Sequence, residues 1–127
     1  MKKPILTEKA PLPIGPYNQA IIYENMIFVS GQIPLNPKDG KLVESGIREE
    51  TRQVMENLKE ILNEANMGFG DVVKTSIFLS NMDNFSKVNE EYGKYFANHT
   101  PPARETVEVS KLPLNVNVEI SCIAIKK

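Results

Sequence analysis

Tryptophan is absent, and cysteine and histidine occur once each in 127 residues. Each scarcity removes a class of chemistry. A single Cys122 cannot form an internal disulfide, which agrees with a reducing compartment. With His99 it supplies no ligand spacing known to hold a metal, so neither a metal nor a cofactor is expected. Long hydrophobic runs are also missing: no stretch approaches the roughly 18 apolar residues of a membrane span. The opening Lys2-Lys3-Pro4 lacks the apolar core of a signal peptide, and the expectation is a cytoplasmic protein without membrane contact. Neither sign of charge dominates, with 15 Lys and Arg against 16 Asp and Glu. Lysine pairs occur only at the chain ends, so the basic footprint of a nucleic-acid binder is lacking.

What remains is ordinary globular composition, 41% hydrophobic and 24% charged. One domain over residues 1–127 is expected, long enough to bury about two thirds of its unfolded surface. The segment from Pro4 to Pro16 carries four prolines and Gly15, and reads as an irregular arm with little ladder pairing. Gln19 to Tyr23 and Met26 to Gln32, separated by Glu24-Asn25, predict a hairpin. A helix is expected from about Ile47 to Asn66, with Ser45 or Gly46 as cap and Gly68 as stop. Its apolar stripe is Ile47, Thr51, Val54, Leu58, Ile61, Leu62 and Ala65.

Val72 to Leu79 alternates and is rich in β-branched residues, predicting a strand. After a cap at Asn81 or Asp83, a second helix is expected from about Asn84 to Asn98, ended by Pro101-Pro102. Strands Arg104 to Val109 and Val116 to Ile125 follow. The order ββ-α-β-α-ββ predicts an α+β domain with two helices on one face of a mixed sheet. In the last strand Val118, Ile120, Cys122 and Ala124 point one way, but Ile123 and Ile125 share the other face with Glu119. Apolar residues on both faces imply a second subunit against the face the helices leave bare.

Several polar residues stand out. Arg104 opens a strand after the stiff Pro101-Pro102-Ala103, either as a positioned guanidinium or as a surface partner of Glu105 or Glu108. Glu119, mid-strand between Val118 and Ile120, is expected at an edge or an interface, or buried with a partner, for which Arg104 on a neighbouring strand is the candidate. Asn89 falls on the apolar stripe of the second helix, where an amide needs partners. Ser30-Gly31-Gln32 is either a bulge or a point of close backbone approach by another chain or a ligand. Cys122 and His99 offer no support for a nucleophilic dyad, since Cys122 shares its face with Val118, Ile120 and Ala124.

Four segments in register carry a resemblance that covers essentially the whole chain: Ile14 to Ala20 (IGPYNQA), Val29 to Pro34 (VSGQIP), Pro101 to Arg104 (PPAR) with Val107 to Val109 (VEV), and Val118 to Ile120 (VEI). Together they resemble the RidA (YjgF) family. The resemblance implies a chorismate-mutase-like α+β fold, a homotrimer with sites between subunits, and hydrolysis of reactive 2-imino acids to 2-keto acids and ammonia without a cofactor. It implies that Arg104 grips the substrate carboxylate with help from the Gly31 backbone, that Glu119 positions water, and that Tyr17, Ser30 and Asn89 line the pocket. Thr106 stands where many relatives have cysteine, so only a contact through its backbone carbonyl is implied. The competing readings are a regulatory module that binds small carboxylates without turning them over, and a chorismate mutase by fold analogy alone. A ribonuclease activity assigned to some relatives sits poorly with the acidic composition and the missing basic patch.

Overall fold

The computed structural model describes residues 1–127. Its strands are β1 Lys3–Ile5, β2 Ala20–Tyr23, β3 Met26–Gln32, β4 Leu35–Asn36, β5 Lys41–Leu42, β6 Val72–Leu79, β7 Ala103–Glu108 and β8 Val118–Ile125. Helices α1, Ile47–Glu64, and α2, Phe85–Lys94, separate them. Six strands form one sheet in the order β1-β2-β3-β8-β6-β7, with β4 and β5 paired beside it. All its pairings are antiparallel except β6 with β7, which α2 joins as a crossover. The α+β class with two helices on one face of a mixed sheet is what the element order predicted.

Period-two alternation sets the two faces. Ile27 and Val29 of β3, Ile77 and Leu79 of β6, and Val118, Ile120, Cys122 and Ala124 of β8 are buried toward the helices. They meet Val54, Met55, Leu58, Ile61 and Leu62 of α1, and Val88 and Tyr92 of α2. Between the helices, buried Glu91 accepts from Lys94 Nζ at 3.0 Å and Arg52 Nη2 at 3.3 Å, with Arg48 Nη1 at 3.7 Å. The opposite face is uncovered: Phe28, Val107 and Ile125 are 42, 41 and 38% exposed. No helix is long and apolar enough to cross a membrane.

Four local expectations differ. Lys3–Ile5 does pair with β2, and Pro4 is tolerated there because β1 is an edge strand. Helix α1 ends at Glu64, and Asn66 (φ 57°) takes the left-handed conformation expected of Gly68; Gly68 instead donates its N–H to Asp71 Oδ2 at 3.0 Å. Helix α2 stops at Lys94, four residues short, and the chain reaches Pro101 through turns. The fourth matters most: β6 lies between β7 and β8, so Arg104 and Glu119 are not on neighbouring strands.

Candidate functional site

Arg104 pairs with Thr75 in the β6–β7 register, and Thr75 is buried toward the helices, so the guanidinium emerges on that side. Its Cζ stands 5.1 Å from the Tyr92 ring centroid and 5.7 Å from that of Phe85, a cation–π bracket from α2. Tyr92 is fixed in turn by a 2.7 Å hydrogen bond between its hydroxyl and that of Thr75. Arg104 Nη1 donates to Asn89 Oδ1 at 2.7 Å. The acidic partners that the sequence offered are engaged elsewhere. Glu105 pairs with Lys74 Nζ at 2.8 Å and also accepts from the Ser76 hydroxyl, while Glu108 accepts from the Met82 N–H at 2.8 Å. Arg104 therefore keeps a rigidly held charge with donors left over, as a carboxylate clamp requires.

Asn89 is exposed on the flank of the α2 stripe, which runs through Val88, Glu91 and Tyr92 rather than through Asn89 itself. The inward placement read from its spacing is thus corrected; its amide serves Arg104 from outside the core. Thr106, two residues on from Arg104, has a buried hydroxyl oxygen without a hydrogen-bond partner.

Glu119 faces the other way. It pairs with Phe78 on the uncovered face, and burial alone pushes its carboxyl above the usual range, with no cation opposing the shift. The opposing pull expected from Arg104 is missing because the two leave opposite faces of the sheet. Gly31 lies at a bulge, one of the two readings the sequence allowed, and what approaches it closely is a side chain of the same chain. The β3–β8 register slips between Val29 and Gln32, and a Cβ on Gly31 would lie 2.5 Å from Glu119 Oε2. Only glycine lets the strand pass so close to that carboxylate.

Tyr17 and Gly31 line one cleft of about 300 Å³ with Leu12, Gln19 and Leu114. The Tyr17 hydroxyl accepts from the Ile14 N–H at 3.4 Å, and the Ser30 hydroxyl donates to Asn18 O at 2.6 Å. The candidate residues thus fall into two groups: Tyr17, Ser30, Gly31 and Glu119 around the β3 bulge, and Arg104, Asn89 and Thr106 at the β7 edge.

Gln19 escaped the sequence reading. Wholly buried, it accepts the Thr7 N–H at 2.7 Å and donates to the carbonyls of Thr7, Ala10 and Pro11 at 2.9, 3.2 and 2.8 Å, strapping the arm that carries Tyr17. Its signal was a long amide at the mouth of an apolar strand. Leu114 (φ 55°) and Asn115 (φ 56°) were also missed; nothing in the sequence announces two left-handed residues without a glycine. Cys122 is buried on the sheet, its thiol pushed up to about 12, while His99 lies beside Gly70. No three His, Cys, Asp or Glu side chains cluster so as to hold a metal ion.

The structure is an α+β domain with a braced arginine free of acidic partners at one sheet edge and a desolvated glutamate on the other face. The chain belongs to the RidA (YjgF) family: the family model described as "Endoribonuclease L-PSP" matches residues 7–126. A RutC family protein of Pyrococcus horikoshii is 50% identical over 127 residues, all of both chains. The 2-iminobutanoate/2-iminopropanoate deaminase of Escherichia coli K12 is 44% identical over 129 residues, again all of both chains. Among solved structures, a putative endoribonuclease of Thermotoga maritima superimposes with a TM-score of 0.97 at 50% identity, covering 100% of this chain and 99% of the other. TdcF of E. coli, solved with bound serine, gives 0.94 at 37% identity over 98% and 99% of the two chains. Family membership and a full-length relative named as an imine deaminase support a RidA-like enzymatic function.

Proposed function

We propose that the chain hydrolyses 2-imino acids to 2-keto acids and ammonia, without metal or cofactor, at sites shared between the subunits of a homotrimer. One observation carries the reading. Arg104 and Glu119 leave opposite faces of the sheet with β6 between them, and the uncovered face next to Glu119 is apolar. A substrate of a few carbons is held by both only when the β7 edge of one copy meets the β3–β8 face of the next.

The chemistry asks little of the protein. The substrate carboxylate takes a two-pronged grip from Arg104, whose plane Asn89, Phe85 and Tyr92 already fix. A protonated imine carbon is electrophilic, so catalysis reduces to placing water and moving protons. Glu119 takes a proton as water adds to the C=N carbon, giving a carbinolamine. The carbinolamine nitrogen takes that proton back from Glu119, and ammonia leaves as the C=O bond forms and the hydroxyl proton passes to the Glu119 carboxylate. A carboxyl raised by desolvation is a stronger base than an ordinary glutamate, and Gly31 leaves room for that carboxylate against the β3 bulge.

The second reading, a carboxylate-binding module without turnover, is favoured by the serine bound to TdcF. Glu119→Gln separates the two, because it preserves size and removes basicity. Keto-acid formation from a freshly generated imine should exceed the spontaneous rate in the wild type and fall by about 10²–10⁴-fold in the variant, with pyruvate binding little changed. Turnover in Glu119→Gln close to wild type and well above background defeats the mechanism. A wild type that binds pyruvate without accelerating hydrolysis establishes the binding module.

A further inference from the structure

We infer that the cleft beside Gly31 selects 2-imino acids with aliphatic side chains larger than methyl or ethyl, and that Leu12 and Leu114 set this choice. The inference rests on the deaminase reading and names the substrate class for the same site.

The wall of the cleft is largely apolar, with six hydrophobic residues among the eleven that line it. Leu12, Ile14 and Leu114 are 56, 87 and 65% exposed, and all three line this one concavity, with Ile33 and Leu35 also in its wall. Large apolar side chains left in water and gathered around one hollow mark a binding surface. At about 300 Å³ the cleft reaches the lower end of the roughly 300–1,000 Å³ typical of small-molecule sites. Its polar lining is already committed: the Gln19 amide holds the arm, and Gln32 Nε2 donates to Ser30 O at 3.1 Å. A polar substrate side chain would meet few free partners, whereas an aliphatic one would be desolvated.

Leu114 strengthens the case because its placement is strained. With φ 55° and ψ 22° it adopts the left-handed conformation that a leucine avoids, followed by Asn115 at φ 56°. The loop is anchored by buried Leu112 and Val116, with the Asn115 N–H donating to Leu112 O at 3.0 Å and the Val116 N–H to Pro113 O at 3.2 Å. Backbone strain that a structure maintains in order to present an exposed side chain is characteristic of ligand sites. Gly31, which also lines the cleft, touches Glu119, so a substrate carbon poised beside that carboxylate would direct its side chain toward Leu12 and Leu114.

The test compares two imines generated in situ by an amino-acid oxidase, one from leucine and one from alanine. The wild-type ratio of kcat/KM should favour the leucine-derived imine by about 10-fold or more, since each methylene in an apolar pocket contributes about 10–200-fold in discrimination. Leu114→Asn, which suits the left-handed backbone, and separately Leu12→Ala, should each lower that ratio several-fold. Calorimetry with 4-methyl-2-oxopentanoate and pyruvate reads the same preference without turnover. If neither imine is hydrolysed but the larger keto acid binds more tightly in a Leu114-dependent way, the deaminase reading fails and the selection stands. A wild-type ratio at or below one in both assays overturns the inference. So does a ratio unchanged in both variants, including the case in which Leu114→Asn alters only the oligomeric state.

Discussion

Arg104 keeps its charge without an acidic partner, and the shape of its bracket makes a prediction. In Arg104→Lys the ammonium loses the planar fork, the Tyr92 face and the Asn89 bond together. The sheet should remain intact, because the residue lies on an edge strand, while kcat/KM should fall by roughly 10–100-fold, the value of a charge-assisted bond or two. Unchanged catalytic efficiency in intact oligomers would return Arg104 to the role of a surface cation. Glu119 makes a prediction in pH: its carboxyl sits above the ordinary 4.5, so activity that needs the carboxylate should decline on the acid side at a higher pH than an exposed glutamate would give. At this scale the sequence was informative about which residues, since a charge amid β-branched neighbours or after a stiff proline pair stands out. It misplaced their relation, because the Glu119–Arg104 pairing expected across neighbouring strands is broken by β6 between them. Asn89 was misplaced for another reason: 3.6-residue periodicity defines a stripe, but a residue on its flank is one rotation of about 100° from the core and cannot be told from a member until the helix is docked.

At the scale of elements, alternation located β6 without error at either end, and the helix stripes located α1 and the first turns of α2. Ends were less legible because their competition is local. Asn66 took the left-handed cap ahead of Gly68, and an Asn81 side chain accepting from the Asp83 N–H at 2.9 Å began a short turn before α2 rather than α2 itself. The tie between the helices carries a stability prediction. Lys94 and Arg52 hold buried Glu91 below the ordinary 4.5. A depressed carboxyl contributes stability that is present above its unfolded pKa and lost as pH falls through the folded one. Glu91→Gln should therefore lower unfolding stability in urea by about 1–3 kcal/mol at neutral pH. The gap to wild type should close progressively below pH 4.5, and a gap independent of pH would mean that packing rather than charge is responsible.

The whole molecule is where sequence reasoning ran out. Strand order is not written in periodicity, and the expectation that the last two strands adjoin failed because the α2 crossover sends β7 outside β6. The bare apolar face, by contrast, was legible from β8 alone. Light scattering should report a mass near three times the 14.3 kDa chain; a monomer that still turned over imine would refute the shared site. A sharper test mixes Arg104→Lys and Glu119→Gln chains after joint unfolding and refolding. In a cyclic trimer whose sites draw Arg104 and Glu119 from adjacent copies, about a quarter of wild-type activity should return. None returns if both residues of a site come from one chain.

Strand β8 follows every other strand in the sequence, yet it stands third from the β7 edge, between β3 and β6. Residues 3–108 hold the remainder of the sheet, but as two fragments, β1-β2-β3 and β6-β7, with no hydrogen bonds between them until Val118–Ile125 slides into the gap. During synthesis the growing chain therefore carries two raw strand borders until Val118–Ile125 is made, and burial of the Glu119 carboxyl, the Gly31 contact and the core residues Val118, Ile120, Cys122 and Ala124 all arrive with that strand. A chain cut short before Val118 would leave a pair of sticky half-sheets rather than a weakened enzyme.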